Sequence, residues 1–234
     1  MADVSVWYLS ATTWPADRYL PFVSDDERFT ADRFRFPSDA GRFLASRALV
    51  RAALARQIEA SPAELVFDRC CAHCGSPEHG RPSLVSRGGA LQPWHFSVTR
   101  AGSLVAVAVG SSPIGLDAEP LRATIDGLVE SSVFSEDDRT WMRAGPTGSR
   151  SCRLLTRWVA KEAIGKAAGR GLIEADRIVT PPPGEGWNRG ADASGKTLWL
   201  TWLTLPDVVA AVATYDRQHH LRVRDARDLG LLRR

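Results

Sequence analysis

At 234 residues, with 44% apolar and 24% charged residues, the chain has the length and composition of one large globular domain or two small ones. Its formal net charge of +3 is too small to indicate a nucleic-acid-binding protein, and no apolar run reaches the length of a membrane span. The N-terminal residues lack the charged region and apolar stretch of a signal peptide, so we expect a cytoplasmic protein.

The first strong helical pattern begins near residue 38. Ser38 or Asp39 is a candidate N-cap, and Pro62 is the expected stop. Between them the apolar residues recur at helical spacing: Phe43, Leu44, Ala48, Leu49, Ala52, Ala53 and Leu54. We therefore predict one amphipathic helix over this stretch.

A polar segment rich in cysteine and histidine follows the helix. Cys71 and Cys74, with two residues between them, lie close to His73 and His79, and these four side chains are usable zinc ligands. A structural zinc site usually takes its four ligands as two separated pairs, and no second pair follows. We expect reduced thiols in a long loop and keep a zinc site as the alternative.

Two later segments, residues 94–110 and 200–216, resemble each other as strand, turn and strand. A helical pattern precedes each of them. The repetition predicts an α+β fold made of two similar halves, each a helix packed on a small, mainly antiparallel sheet. We place the halves at residues 1–112 and 113–234, and a cleft between such halves would be a natural ligand site.

Two carboxylates follow directly at the start of the second half. Asp117 and Glu119 are two residues apart on a predicted strand, so they point to the same side. Like charges this close raise each other's pKa unless a cation lies between them. A hard cation, Mg²⁺ first or Mn²⁺, suits such oxygen ligands and leaves room for a substrate phosphate.

The helix around residues 157–172 carries two of the three lysines in the chain. Trp158, Glu162 and Lys166 recur every four residues and share one face, which could make Glu162 a third carboxylate. Lys166 would then meet an anionic ligand one turn further on, and Lys161 could reach a second phosphate oxygen. The alternative is a solvated helix with an ordinary Glu162–Lys166 ion pair.

Taken together, the sequence GLDAE at residues 115–119 and WVAKEAIGK at residues 158–166 resemble the signature of the 4′-phosphopantetheinyl transferases, specifically the larger, surfactin-type class. The resemblance implies a monomeric, pseudo-two-fold enzyme that moves the phosphopantetheine arm of coenzyme A onto a serine of an apo carrier protein. Asp117, Glu119 and Glu162 would be the Mg²⁺ ligands. Lys161 and Lys166 would hold the pyrophosphate.

The same resemblance implies further coenzyme A contacts outside these two motifs. His79 and Arg81 fall in a segment that borders coenzyme A, and Arg42 stands where an arginine contacts its 3′-phosphate. Arg100 replaces a phosphate-contacting histidine; it can still grip a phosphate but does not titrate near neutral pH. Two further positions depart from the family, which often has lysines where this chain has Glu27 and Thr30.

The resemblance also implies catalytic roles and a partner. Glu162 is our candidate general base, with a metal-bound water near Asp117 as the alternative. Carrier proteins are typically acidic helical domains, which suits a mildly basic partner. An apolar docking edge could be formed by Leu128, Val129, Phe134, Trp141 and Met142, although we expect most of them to pack in the core and only Phe134 to be exposed.

Two alternative functions remain open from the sequence. The chain could be a coenzyme A or nucleotide-binding protein that has lost catalysis, because of Arg100 and Glu27. It could also be a zinc or nucleic-acid-binding module centred on the cysteine segment. The set of Asp117, Glu119, Glu162 and Lys166 argues against both, because neither needs all four residues.

Overall fold

The computed structural model describes residues 3–12, 14–69, 75–76, 82–86, 89–90, 92–125, 132–146, 148–217 and 220–230. The chain divides into two compact units. The N-terminal unit consists of residues 4–98 and 103–112 and the last residues from Leu221. The C-terminal unit consists mainly of residues 113–220, with Thr99–Gly102 added from the preceding hairpin.

The N-terminal unit is built on a four-stranded sheet. Its strands are β1 (Asp3–Ser10), β4 (His95–Ala101), β5 (Leu104–Gly110) and β10 (His220–Asp225), in the order β10-β1-β5-β4. Strands β2 (Val66–Asp68) and β3 (Ser83–Val85) form a separate antiparallel pair. Short 3₁₀ helices cover Ala16–Phe22, Pro62–Glu64 and Ala226–Leu229.

Two helices belong to this unit, α1 (Asp25–Asp32) and α2 (Pro37–Ile58). Helix α2 starts earlier than the predicted cap, because Pro37 takes the first helical position, where its missing N–H is no loss, and Phe36 is the N-cap. It ends at Glu59 in the left-handed conformation, before Pro62. Its apolar residues Leu44, Ala48, Leu49, Ala52, Ala53 and Leu54 are buried as predicted.

The C-terminal unit repeats this plan. Its sheet contains β6 (Ile114–Pro120), β7 (Asn188–Ala191), β8 (Thr197–Leu203) and β9 (Val208–Thr214), in the order β6-β9-β8-β7. Each neighbouring pair in it is antiparallel. Within its described residues the unit also contains helices α3 (Glu136–Arg143) and α4 (Arg150–Ala168) and a 3₁₀ helix at Ala175–Arg177, and α4 packs on β6 and β9.

The α+β prediction with two similar halves is confirmed. The order β1-β5-β4 matches β6-β9-β8, and a long helix follows the first strand of each series. We predicted that residues 113–234 form the second half, and the structure differs at the C-terminal end of this range. Strand β10 pairs with β1 and so belongs to the N-terminal unit. None of the helices described is long and apolar enough to cross a membrane.

Candidate active site

The site starts with an unusually close approach of strand β6 to helix α4. A Cβ atom added to Gly115 would lie 1.9 Å from the carbonyl oxygen of Ala163 and 2.4 Å from the amide nitrogen of Ala167. Only glycine allows the two backbones to approach this closely. Gly115, Asp117 and Glu119 alternate along β6 and share one face, so the carboxylates are brought alongside the helix.

Asp117 is the buried centre of the site, with 4% of its surface exposed. The Nζ of Lys166 lies 2.6 Å from its Oδ1, and Nζ also donates to the carbonyl of Leu116 at 3.3 Å. The hydroxyl of Thr99 donates to the same Oδ1 at 3.3 Å and accepts from the amide of Ala118 at 3.2 Å. The other oxygen, Oδ2, is buried and has no hydrogen-bond partner among the described residues.

Glu119 and Glu162 complete a group of electrostatically coupled carboxylates. Burial and the charge of Asp117 both raise the pKa of Glu119, against a hydrogen bond from Trp158 that lowers it. Burial, then the charges of Asp117 and Glu119, raise the pKa of Glu162. Burial raises the pKa of Asp117 as well, although Lys166 opposes this shift. Three carboxylates therefore share one small region with one ammonium group.

This arrangement has the chemistry of a divalent cation site that is completed by its substrate. Within the described part of the chain, no group of three or more histidine, cysteine, aspartate or glutamate side chains already surrounds a metal position. Mg²⁺, however, is usually held by one or two carboxylates plus water and phosphate oxygens. The unpartnered Oδ2 of Asp117 is an oxygen that such a cation would satisfy.

Lys161 does not lie in this site, and the expected contact with a phosphate is wrong. Its side chain is fully buried on another side of α4. Its Nζ lies 2.8 Å from a carboxylate oxygen of Asp138 and donates to the carbonyls of Ala175 at 2.7 Å and Ile178 at 2.9 Å. An ammonium group has three protons, so these partners leave none for a ligand.

Asp138 anchors a buried network around Lys161. Its carboxylate accepts from the amide and hydroxyl of Ser135 in a capping box at the start of α3. Arg157 lies 3.6 Å away and donates to the carbonyls of Thr180 and Pro181. Although burial alone would raise the pKa of Asp138, the hydrogen bonds and charge of Lys161 bring it below its ordinary range. The network therefore joins α3, α4 and the following loop.

Comparison with known proteins matches both halves of the chain to one protein family. A model of the 4′-phosphopantetheinyl transferase superfamily matches residues 113–213, which contain all four residues of the site on β6 and α4. A model described as 4′-phosphopantetheinyl transferase, N-terminal, matches residues 6–112. The chain belongs to the 4′-phosphopantetheinyl transferase superfamily.

Individual members of this family are similar over two thirds of the chain. A 4′-phosphopantetheinyl transferase of Bacillus subtilis is 31% identical over 157 residues, which cover 67% of this chain and 64% of that protein. The 4′-phosphopantetheinyl transferase HetI of a Nostoc species is 29% identical over 161 residues, or 67% of this chain and 63% of that protein. The match thus spans less than two thirds of the length of these relatives.

The other coenzyme A contacts expected from the family are only partly within the described structure. Arg42 lies at the surface in the first turns of α2, where its guanidinium pairs with Asp39. Arg100 is exposed on β4, next to Thr99. His79 and Arg81 lie outside the described residues, as do the clustered cysteines at 70–74 of the alternative zinc site.

Glu27 has a structural role in the N-terminal unit. It completes a capping box with Ser24 at the start of α1, and its Oε2 lies 2.6 Å from Nε of Arg51. Both side chains line a cavity of about 550 Å³ together with Thr30 and Arg47. The carboxylate therefore neutralises arginine charge where the family often has lysine.

Among the residues that the structure describes, the predicted docking edge is not an exposed surface. Phe134 is 1% exposed and Met142 is 2% exposed, and both pack in the core of the C-terminal unit. Trp141 is half-buried under the guanidinium groups of Arg153 and Arg157. Leu128 and Val129 lie outside the described residues.

Sequence reasoning missed two side chains that hold the site and its surroundings. Thr99 carries no motif of its own, and only its position beside Arg100 could have singled it out. Asp138 had a clear local signal, because Ser135 and Asp138 are spaced as a capping box before an amphipathic helix. That spacing predicts the helix start but not the ion pair with Lys161.

Proposed function

We propose that the chain transfers the 4′-phosphopantetheine arm of coenzyme A to a serine of an apo carrier protein and releases adenosine 3′,5′-bisphosphate. The observation that carries this proposal is the ion pair of Lys166 and Asp117, whose Nζ and Oδ1 atoms lie 2.6 Å apart. The Oδ2 of Asp117 has no hydrogen-bond partner among the described residues, and the carboxylates of Glu119 and Glu162 are electrostatically coupled to it. All four residues lie in the segment that the family model matches. Carboxylates for a cation and an ammonium for a phosphate are the parts that phosphoryl transfer requires.

The donor set fits Mg²⁺, with Mn²⁺ as a second choice. Asp117, Glu119 and Glu162 would hold the ion, and Asp117 would supply Oδ2, which has no hydrogen-bond partner in the described part of the chain. When bound, the ion would neutralise pyrophosphate charge and relieve the repulsion among the three carboxylates. Burial raises the pKa of all three carboxylates, and the charge of Asp117 adds to the shift at Glu119 and Glu162, so a divalent cation bound among them would lower these pKa values.

Two groups of the protein would act directly on the reactants. Lys166 would hold the pyrophosphate through its ammonium, which lies beside Asp117 on a side chain that is 32% exposed. Glu162 would accept the proton of the carrier serine as the general base. A metal-bound water near Asp117 remains the alternative acceptor.

The bonding changes follow from the substrates. The serine oxygen forms a bond to the β-phosphorus of coenzyme A, the phosphorus that carries the pantetheine arm. The bond from that phosphorus to the bridging pyrophosphate oxygen breaks, and its electron pair leaves with adenosine 3′,5′-bisphosphate. The serine proton moves to the base.

The remaining contacts with coenzyme A are part of the same proposal. Arg42 and Arg100 are surface guanidinium groups suited to grip the 3′-phosphate, and His79 and Arg81 would border the nucleotide. Lys161 is left out of this set because its ammonium is saturated. The expected monomeric state and cytoplasmic location stay predictions, as does the absence of nucleic-acid and membrane partners.

Intact-protein mass spectrometry of an apo carrier protein tests the function. We expect one phosphopantetheine arm to be added in the presence of the protein, coenzyme A and Mg²⁺, and no addition when the metal is chelated. Carriers of fatty acid, polyketide and peptide synthesis should each be tried. If no carrier is modified although coenzyme A binds, the chain is a coenzyme A-binding protein that has lost catalysis. Arg100, which replaces the family's phosphate-contacting histidine, would then be the first residue to substitute.

A further inference from the structure

The two oxygens of the Asp117 carboxylate have different surroundings, although the group itself is symmetric. The Oδ1 atom lies 2.6 Å from Nζ of Lys166 and 3.3 Å from the hydroxyl of Thr99. The Oδ2 atom is buried and has no hydrogen-bond partner among the described residues. The terminal torsion of an aspartate is broad and roughly two-fold, so its partners decide where each oxygen lies. Lys166 and Thr99 therefore determine which oxygen is left for a cation.

Thr99 lies on β4, and the backbone of β6 holds its hydroxyl in place. In the order β6-β9-β8-β7, β6 is an edge strand of its sheet, and the amide of Ala118 on it donates to Oγ1 of Thr99 at 3.2 Å. A hydroxyl has a single proton to donate. The Oδ1 of Asp117, at 3.3 Å, is a charged acceptor and lies closer than the carbonyl oxygen of Ala118 at 3.5 Å. Thr99 therefore accepts from β6 and donates to Asp117.

Thr99 is a more constant partner of Asp117 than Lys166 is. The Lys166 side chain is 32% exposed and flexible, and in the proposed function its ammonium also holds the pyrophosphate. A cation that serves two anions is a variable partner for each of them. The Thr99 side chain is buried, is hydrogen-bonded both to Asp117 and to Ala118, and has few rotamers because it is β-branched. Its hydroxyl therefore keeps Oδ1 in place when Lys166 binds a phosphate.

We propose that Thr99 is a positioning residue of the cation site, whose hydroxyl holds Oδ1 of Asp117 so that Oδ2 is the oxygen presented to Mg²⁺. This inference rests on the proposed function, which supplies the cation. Loss of a side chain that orients a metal-binding group typically costs about 10–100-fold in metal affinity or activity. Two other roles for Thr99 lead to different results, namely a purely structural tie between β4 and β6 and a direct contact with coenzyme A.

The test uses the full-length protein with Thr99→Val, which removes the hydroxyl and keeps a β-branched side chain suited to a strand. Thr99→Ser returns the hydroxyl. Thr214→Val is the matched control, because Thr214 is 1% exposed on β9 and its Oγ1 has no hydrogen-bond partner among the described residues. Calorimetry with saturating coenzyme A and no carrier protein gives the Kd of Mg²⁺, and urea denaturation in EDTA gives the stability.

We expect Thr99→Val to raise the Mg²⁺ Kd by about tenfold, and Thr99→Ser and Thr214→Val to stay within about threefold of wild type. In steady-state transfer, the Mg²⁺ concentration that gives the half-maximal rate should rise by the same factor in Thr99→Val, and excess Mg²⁺ should restore most of kcat. The urea midpoint should also fall, because the amide of Ala118 loses its acceptor. If valine prevents folding, Thr99→Ala, which is smaller and also lacks the hydroxyl, gives the same comparison.

Two results would overturn the positioning role. A wild-type Mg²⁺ Kd in Thr99→Val or Thr99→Ala, together with a lower urea midpoint, would show that Thr99 is only a structural tie. A coenzyme A Kd that rises in EDTA while the Mg²⁺ Kd stays unchanged would make Thr99 a coenzyme A contact instead.

The binding and transfer measurements separate this inference from the proposed function. Mg²⁺ binding that depends on the Thr99 hydroxyl, without modification of any carrier protein, keeps the positioning role and rejects the transferase. Transfer with the same Mg²⁺ requirement in wild type and Thr99→Val keeps the transferase and rejects the positioning role. If the wild-type protein binds neither Mg²⁺ nor Mn²⁺ in the presence of coenzyme A, there is no cation for Thr99 to serve and the inference is overturned.

Discussion

Replacing Lys161 by methionine will decide whether this lysine is a phosphate ligand or a buried structural cation. Methionine keeps the apolar stem and removes the charge, so Asp138 loses its partner at 2.8 Å and two buried carbonyls lose their donor. Removing one member of a buried pair typically costs about 3–5 kcal/mol. Because Ser135 and Arg157 still contact Asp138, we expect the lower end, about 3 kcal/mol of unfolding free energy.

Urea denaturation of four proteins measures this cost: wild type, Lys161→Met, Asp138→Asn and the double variant. Asparagine retains the capping interaction with Ser135 but carries no charge. The double variant should therefore lose less stability than the sum of the single variants, by about 1 kcal/mol or more. If Lys161→Met unfolds at the wild-type urea concentration while the KM for coenzyme A rises sharply, the structural assignment of Lys161 is refuted.

Four further predictions concern the site itself. Glu162→Gln should abolish transfer, and in EDTA it should be more stable than wild type at pH 8, since burial and neighbouring carboxylates raise the pKa of Glu162. A raised pKa costs the folded wild type stability as pH increases, so urea midpoints of the two proteins should converge as pH falls towards the ordinary value of 4.5. Mg²⁺ affinity, followed by calorimetry, should decrease on acidification because protons compete for the same carboxylates; a pH-independent affinity would contradict the assigned ligands. Lys166→Met should lose transfer, and it should also cost stability, because it leaves the buried carboxylate of Asp117 without its charged partner at 2.6 Å; transfer at the wild-type rate would remove Lys166 from the mechanism. Gly115→Ala should cost about 3 kcal/mol through its clash with Ala163, whereas Gly41→Ala, whose nearest neighbour is 3.9 Å away, should be neutral or stabilising in the same denaturation assay.

Local periodicity predicted which side chains share a face, but it did not find Thr99 and it placed Lys161 in the wrong surroundings. The two-residue spacing of Asp117 and Glu119 places both on one face of β6, as alternation along a strand requires. The four-residue spacing of Trp158, Glu162 and Lys166 gives a half-buried stripe on α4. The two similar halves also followed from the sequence, because each half repeats a helix and a hairpin with similar apolar patterns.

The sequence pattern predicts the first helix, α1, less clearly than it predicts α2. A capping box at Ser24 and Glu27 marks its start, but the helix has only one buried residue, Ala31, and thus little apolar periodicity. Its stability comes from packing on α2 and from the contact between Glu27 and Arg51. Those partners lie far away in the chain and leave no local pattern.

The sequence by itself determined the direction in which each side chain leaves its helix or strand, since that direction depends only on the backbone period. Only the tertiary structure decided which groups each side chain contacts. Lys161 precedes Glu162 by one residue, which turns it about 100° around α4, and the packing of α3 and the loop after α4 makes that side a sealed core. The same packing leaves Lys166 beside Asp117, at the edge that the solvent reaches.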